Sequence, residues 1–323
     1  MTHEEPVFLS ILIPTWNRAA LALRAVESVG AAPAGVEIVV VDDGSPGEAS
    51  GRLQADVQDK PWVRLFRNAQ NIGMVRNWNQ TIAHARGEWM GLLCDDDVYV
   101  PGAIPRAVAL LKTLRVPSLI VHDAQLDADQ HWPAGCETAR QLALPIVSGN
   151  FWHREIVAQI GDFDERLKYS PDAEYWYRVA RYFPVVKVAQ PFALYLRHAG
   201  NYMWTTWRKS DLLEQIDLLV RIRLQHCLEP EEYTARVEEE AEAGVWETLL
   251  HIVASSFLNP GRGDIFGRYF REALRHAATP QRRAALARAL AWATRSRFKS
   301  AVRRIVARLP SRRPRQDQAG IHG

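Results

Sequence analysis

Three short polar clusters in this chain have residue types that could do chemistry: Pro14-Thr15-Trp16-Asn17-Arg18, Asp42-Asp43-Gly44-Ser45 and Asp95-Asp96-Asp97. Brought together they would gather five carboxylates, which repel one another unless a cation or hydrogen-bond donors sit among them. Hard oxygen ligands of this kind suit Mg²⁺ or Mn²⁺ rather than a thiol-seeking metal, and such ions keep waters and bridge to substrate phosphates. Each cluster also has a plainer explanation. Asp-Asp-Gly-Ser is a good turn, and Pro-Thr-x-Asn suits a loop and helix cap. Three consecutive aspartates after a buried run are costly without a partner. It is the combination that points to function.

Each cluster follows an apolar run that reads as a strand: Phe8 to Ile13, Glu37 to Val41 and Trp89 to Leu93. The second is almost wholly β-branched, as expected of a strand covered on both faces. Further strand-like runs are Val63 to Phe66 and Ser118 to His122, and helical spacing recurs over Arg18–Val29, Met74–Ala85 and Gly102–Leu114. This βαβα order predicts a mostly parallel sheet between helical layers. Ligands on such sheets bind outside the carboxyl ends of the strands, where all three clusters fall. A second region, Pro145 to His198, contains the turn Ser148-Gly149-Asn150, a helix over Pro171–Tyr182 and a single strand-like run from Val185 to Leu196. From about Ser210 onward the pattern is helical, including an acidic stretch over Glu229–Glu247 and an Ala/Arg-rich one over Gln281–Ala307. The expected division is a catalytic domain over 1–205, with halves at about 1–101 and 102–205, followed by a helical region over 206–323.

The 323 residues are 47% hydrophobic and 24% charged, an ordinary globular balance. Cys94, Cys136 and Cys227 form neither a disulfide framework nor a CxxC pair, which points to a reducing compartment. The start, MTHEEPVF, has no basic region or apolar run of a signal peptide. No stretch approaches the roughly 20 apolar residues that span a bilayer. A cytoplasmic protein is therefore expected. The net charge of +3 hides an asymmetry: from Arg262 onward there are 16 Lys+Arg against 3 Asp+Glu, a net of +13 that leaves −10 for the rest. Phe298, Val302, Ile305, Val306 and Leu309 recur at helical spacing among Arg295, Arg297, Lys299, Arg303, Arg304 and Arg308. A basic amphipathic helix over 295–309 suits an anionic membrane surface, the inner face of the plasma membrane, or else docking on the acidic body. Nothing nearby resembles a nucleic-acid recognition module, so no nucleic-acid partner is expected.

Five ordered segments carry a resemblance over about residues 7–200: SILIPTWNR (Ser10 to Arg18), EIVVVDDGS (Glu37 to Ser45), NIGMVRNWNQTIAHARGEW (Asn71 to Trp89), LLCDDDVYVP (Leu92 to Pro101) and GDFDERLKYSPDAEYWYR (Gly161 to Arg178). They are similar to the family 2 glycosyltransferases of the GT-A fold, in the branch that decorates bacterial surface polysaccharides. The resemblance implies an α/β, Rossmann-like mixed sheet, mostly parallel and flanked by helices, with the helical region appended. It implies transfer of a sugar from a nucleoside-diphosphate donor (UDP-, dTDP- or GDP-linked) to a hydroxyl of a saccharide or lipid-linked saccharide, with Mn²⁺ or Mg²⁺ as cofactor. Pro14, Thr15, Asn17 and Arg18, with Asp42 or Asp43, would hold the nucleoside. Asn71, Gly73 and Arg76 would lie near base and phosphates.

The family's DxD motif falls on Asp95 to Asp97. Aligned on Pro101, Asp96 is the best metal ligand, with Asp97 beside it and Asp95 nearer the ribose. Many members carry another Asp where this chain has Cys94, which leaves open which carboxylates touch the metal. Asp172 is the candidate base, with Glu174 in reserve. Pro171 stands where members often have Glu, and it equally suits the first turn of a helix. His198 would close over diphosphate or metal, and Arg197 would contact phosphates. Gly149 and Asn150 would belong to the acceptor side. Trp152, Trp176, Trp204 and Trp207 could stack on a sugar, although aromatics at helical spacing are usually core. Two other readings remain open at this point: transfer to polyprenyl phosphate, and a nucleotide-sugar-binding subunit without turnover.

Overall fold

The computed structural model describes residues 6–30, 32–122, 124–126, 130–132, 147–196, 205–206, 208–227, 230–258 and 263–308, and in the last helix the side chains up to residue 294. Alternating strands and helices open the chain: β1 (Leu9–Thr15), α1 (Ala19–Val29), β2 (Val36–Asp42), α2 (Glu48–Val57), β3 (Val63–Arg67), α3 (Met74–His84), β4 (Trp89–Leu92), β5 (Val98–Tyr99), α4 (Ala103–Leu111) and β6 (Leu119–His122). Then come β7 (Ala124–Leu126), β8 (Gln130–Trp132), β9 (Phe151–His153), α5 (Arg154–Ile160), α6 (Pro171–Tyr182), β10 (Val185–Val188) and β11 (Ala193–Tyr195). Helices alone follow: α7 (Leu212–Cys227), α8 (Pro230–Leu258), α9 (Gly263–His276) and α10 (Pro280–Arg308).

The main sheet has the order β10-β6-β9-β4-β1-β2-β3. β1 pairs in parallel with β2 and β4, while β9 runs antiparallel to both β4 and β6. The sheet is therefore mixed and mostly parallel. β1 and β2 are buried at every residue, and apart from Ser10, Thr15, Glu37 and Asp42 their residues are apolar. Alternation of side chains then divides the core. Leu9, Ile11, Ile13, Ile38 and Val40 face α1, α2 and α4. Leu12, Val39, Val41, Met90 and Trp152 face α3, α5 and α6. A second sheet, β5-β11-β7-β8, stands beside the end of β4.

The strand expected over Val185–Leu196 is two strands in different sheets: β10 pairs with β6, and β11 with β5 and β7. Pro191, which has no amide to donate to a ladder, lies in the break between them. The helix over Pro171–Tyr182 forms as the spacing predicts, with Pro171 in its first turn.

By compactness the chain falls into two units, Met1–Ala241 and Glu242–Gly323. In the first, α7 packs Leu219 and Ile222 on Leu167 and on Ala173 of α6. In the second, Arg282 lies over the Trp246 ring and also bonds Glu242, while Phe266 stacks on Phe270 and meets Phe257 at a tilt. Among the described residues no helix is long and apolar enough to cross a membrane. The basic residues expected to face a membrane, 295–309, lie outside the described side chains.

Candidate active site

The parallel run of β1, β2 and β4 brings their carboxyl ends to one edge, and the three polar clusters meet there. Past β4 the chain turns, the Asp97 amide donating to the Cys94 carbonyl at 3.0 Å. Thr15 Oγ1 donates to Asp95 Oδ2 at 2.7 Å. Nη1 of Arg18 lies 3.2 Å from both Asp95 Oδ1 and Asp96 Oδ2. Arg24, six residues further on in α1, donates to the Asp96 carbonyl at 3.1 Å.

Asp43 takes hydrogen bonds from the Ile72 and Gly73 amides, at 2.9 and 3.0 Å, and from Asn68 Nδ2 at 2.9 Å, which fixes the entry into α3. Asn77 extends this network, accepting from Asn68 at 3.0 Å and donating to the Val41 carbonyl at 3.1 Å. Asp42 holds Ser45 through one oxygen. Its other oxygen is buried without a hydrogen-bond partner and ion-paired with Arg67 Nε at 3.8 Å. Gly44 allows this crowding: its φ is +65° and a Cβ there would stand 2.5 Å from the Gln70 backbone.

The Ser148-Gly149-Asn150 turn reaches the same edge. The Gly149 amide donates to the Leu92 carbonyl at 2.9 Å, and Ser148 Oγ donates to Asp97 Oδ2 at 2.5 Å. Gly149 has φ +85°, and a Cβ would meet His122 Nε2 at 2.5 Å, so no other residue fits without rearrangement. Asn150 is fully buried. α6 runs back along the sheet before β10, which is parallel to β6, and this connection sets its first turn, with Asp172, at the carboxyl edge. Among the described residues two non-glycines, Asn17 (φ 54°) and Ser170 (φ 53°), adopt left-handed backbone. Both border the candidate site, where strained conformations cluster.

The remaining expected residues have varied surroundings. Glu174 is fully buried, and both of its oxygens are held by Arg178, at 2.8 and 2.9 Å. A carboxylate clamped in this way is a poor reserve base. Trp176 is equally buried, 5.4 Å from the Trp152 ring in an aromatic cluster with Phe163 and Tyr175, and has no face to offer a sugar. Trp152 is core for the same reason. Arg76 is exposed and paired with Glu165 at 2.9 Å, and Asn71 is exposed. Arg197, His198, Trp204 and Trp207 lie outside the described residues. The sequence pattern also missed Arg24, Asn68, Ser148 and His122. Their partners are distant along the chain, and only the Ser148-Gly149-Asn150 turn carried a local signal.

Charge at this edge is unevenly compensated. Burial pushes Asp95 up to about 6, against the pull of Arg18 and with Asp96 adding to the rise. Burial and then Asp96 push Asp97 up to about 8, although Ser148 and the Leu196 amide favour its charged form. The Cys94 thiol is raised by the same burial and by Asp97. Cys94, Asp96 and Asp97 each present a ligand atom, all within 4.8 Å of one another. A divalent cation beside Asp96 would supply the positive charge the buried carboxylates lack. Burial also pushes Asp172 up to about 6, with the amides of Ala173 and Asp172 itself opposing.

Known proteins resemble this chain in sequence and in fold. Residues 10–145 match the model of "Glycosyl transferase family 2". The putative colanic acid biosynthesis glycosyl transferase WcaA of Escherichia coli is 26% identical over 198 residues, 60% of this chain and 67% of that protein. Against two longer Rickettsia glycosyltransferases the match spans 32% of each relative's length. Among solved structures, residues 1–349 of TarS from S. aureus, in complex with UDP-GlcNAc, superpose with a TM-score of 0.57 at 16% identity, covering 88% of this chain and 79% of that one. The mannosyltransferase PcManGT of Pyrobaculum calidifontis, in complex with GDP-Man and Mn²⁺, gives a TM-score of 0.51 at 16% identity, covering 93% and 87%. By sequence, residues 10–145 are similar to the family 2 glycosyltransferases, and by fold the chain resembles glycosyltransferases of known structure.

Proposed function

We propose that this protein is a metal-dependent, inverting glycosyltransferase that moves a sugar from a nucleoside-diphosphate carrier to a hydroxyl of a saccharide or lipid-linked saccharide in surface-polysaccharide synthesis. The observation that carries this reading is the acidic turn: Asp95 and Asp96, buried under Thr15 and Arg18, with Asp97 buried beside them. The name of the E. coli relative, which places it in colanic acid biosynthesis, supports the polysaccharide role. The TarS and PcManGT complexes support a nucleotide-sugar donor, and the second supports Mn²⁺. Residues 1–205 are the catalytic part in this reading, with donor contacts up to about 101 and acceptor contacts beyond.

Asp96 would hold Mn²⁺ or Mg²⁺, whose charge offsets the negative charge that develops on the departing diphosphate. Asp95, fixed by Thr15 and Arg18, faces the ribose. Asp42 and Asp43, with Pro14, Thr15 and Asn17, shape the nucleoside pocket. Asp172 accepts the acceptor's hydroxyl proton while that oxygen attacks the anomeric carbon from the face opposite the diphosphate. The carbon–oxygen bond to phosphate breaks with its electron pair on the leaving group, and the configuration inverts. Arg18 is placed to follow the diphosphate charge, since a guanidinium pairs with phosphate as well as with carboxylate. The basic segment 295–309 binds an anionic membrane surface in this reading and brings the enzyme to a lipid-linked acceptor.

A screen of UDP-, dTDP- and GDP-sugars for thermal stabilisation, with and without Mn²⁺, tests the donor site. Stabilisation by one nucleotide class that needs Mn²⁺ is expected, and no response to any donor contradicts the reading. Removing residues 295–323 should shift the protein from vesicles containing phosphatidylserine to the supernatant. Unchanged sedimentation would remove the membrane role.

A further inference from the structure

Asp97 takes part in contacts that Asp95 and Asp96 do not make. Its Oδ2 accepts from Ser148 Oγ at 2.5 Å, and its Oδ1 accepts from the Leu196 amide at 3.1 Å. Ser148 Oγ also accepts from the Cys94 amide at 3.0 Å, which closes the loop onto the acidic turn a second time. The Ser148 carbonyl receives Nε2 of His122 at 2.9 Å, while Nδ1 of that ring accepts from the Phe192 amide at 3.3 Å. These two bonds together describe a neutral imidazole carrying its proton on Nε2. Residues from four separate stretches, at 94–97, 122, 148 and 192–196, thus meet around one buried carboxylate. Asp97, Ser148 and His122 are all nearly inaccessible, at 1, 2 and 3%.

We propose that Asp97 is a positioning residue rather than a metal ligand. It pins the acidic turn to the acceptor-side loop Ser148-Gly149-Asn150 and to the end of β11, and Ser148 and His122 complete the junction. The consequence for catalysis rests on the glycosyltransferase reading: the junction sets the distance between the cation-holding Asp96 and the loop that meets the acceptor. Both Asp97 oxygens are committed to protein donors, and removing either acceptor strands a buried amide or hydroxyl. Asp96 instead meets the partly exposed guanidinium of Arg18, a contact that a cation can replace without unbuckling the fold.

The test uses the full chain and two readouts: Mn²⁺ affinity, from the electron paramagnetic resonance of free Mn²⁺, and hydrogen exchange at the Leu196 amide. Asp97→Asn keeps an oxygen for Leu196 and an NH₂ for Ser148 Oγ. It should leave Mn²⁺ affinity within about threefold of the parent and Leu196 protected. Asp97→Ala should also keep Mn²⁺ affinity, but should speed Leu196 exchange by about tenfold or more. Ser148→Ala should loosen the same amide, and Ser148→Thr, which keeps the hydroxyl, should restore it. The Ser148 pair carries the test if Asp97→Ala does not fold. A tenfold or larger loss of Mn²⁺ affinity in Asp97→Asn would make Asp97 a ligand and overturn the proposal. Unchanged exchange in both Asp97→Ala and Ser148→Ala would overturn it as well. If the parent protein binds no Mn²⁺, the metal reading fails separately, and exchange alone decides the junction.

Discussion

Glu174 on α6 and the acidic turn after β4 are buried almost equally, yet their charge is handled in opposite ways. Both oxygens of Glu174 meet the Arg178 guanidinium, whose remaining donors go to the carbonyls of Ile160 and Asp162. That pair is closed: charge, geometry and hydrogen bonds are satisfied within the protein. At the turn, a single nitrogen of Arg18 lies 3.2 Å from two carboxylates, and Asp95 and Asp97 are pushed up to about 6 and about 8. Buried charge matched one to one holds structure together. Buried charge left in excess is a site waiting for a ligand.

The comparison can be broken from either side. The largest effect should come from opening the closed pair: Arg178→Ala leaves Glu174 uncompensated and should cost about 3–5 kcal/mol of stability in chemical denaturation. A loss below about 1 kcal/mol would mean that the pair is not the strut described. The open cluster should respond in reverse. Asp96→Asn removes a like charge from its neighbours and should leave the midpoint unchanged or higher, while lowering kcat/KM about 10³-fold.

Asp172→Asn should lower kcat by about 10²-fold or more while Mn²⁺-dependent donor binding persists. Retained turnover would point to an acceptor that is already an anion. The smallest effect is one of pH. Asp172 acts as the deprotonated base and burial sets it at about 6, so kcat/KM should rise close to tenfold per unit below pH 6 and level off above it. A profile flat from pH 5 to 7 would remove Asp172 from that role.

Much of this edge was legible in the sequence because the signals are local. EIVVV reads as a strand covered on both faces, and β2 is buried throughout. Pro171 marks the start of α6. Carboxylates at the ends of parallel strands must converge, and Thr15, Asp43 and Asp95 do. What escaped depends on distant partners. β9 is three residues long and reverses the sheet direction between β4 and β6, which Phe-Trp-His alone does not announce. α2 was hidden by Gly51 and a mixed composition. Trp176 looked available for a sugar but is walled in by Trp152 and Phe163, residues more than ten positions away. Glu174 stands four residues before Arg178, a spacing visible in the sequence, but only its burial shows that the pair is closed.

Turnover of the donor identified by the screen, measured before and after EDTA treatment and again after adding Mn²⁺, bears most directly on the acidic turn. Activity should vanish with EDTA, return with Mn²⁺ in the parent, and fail to return in Asp96→Asn. Turnover that is indifferent to EDTA, or that Mn²⁺ restores equally in both proteins, would show that the excess buried charge at this edge has some other purpose.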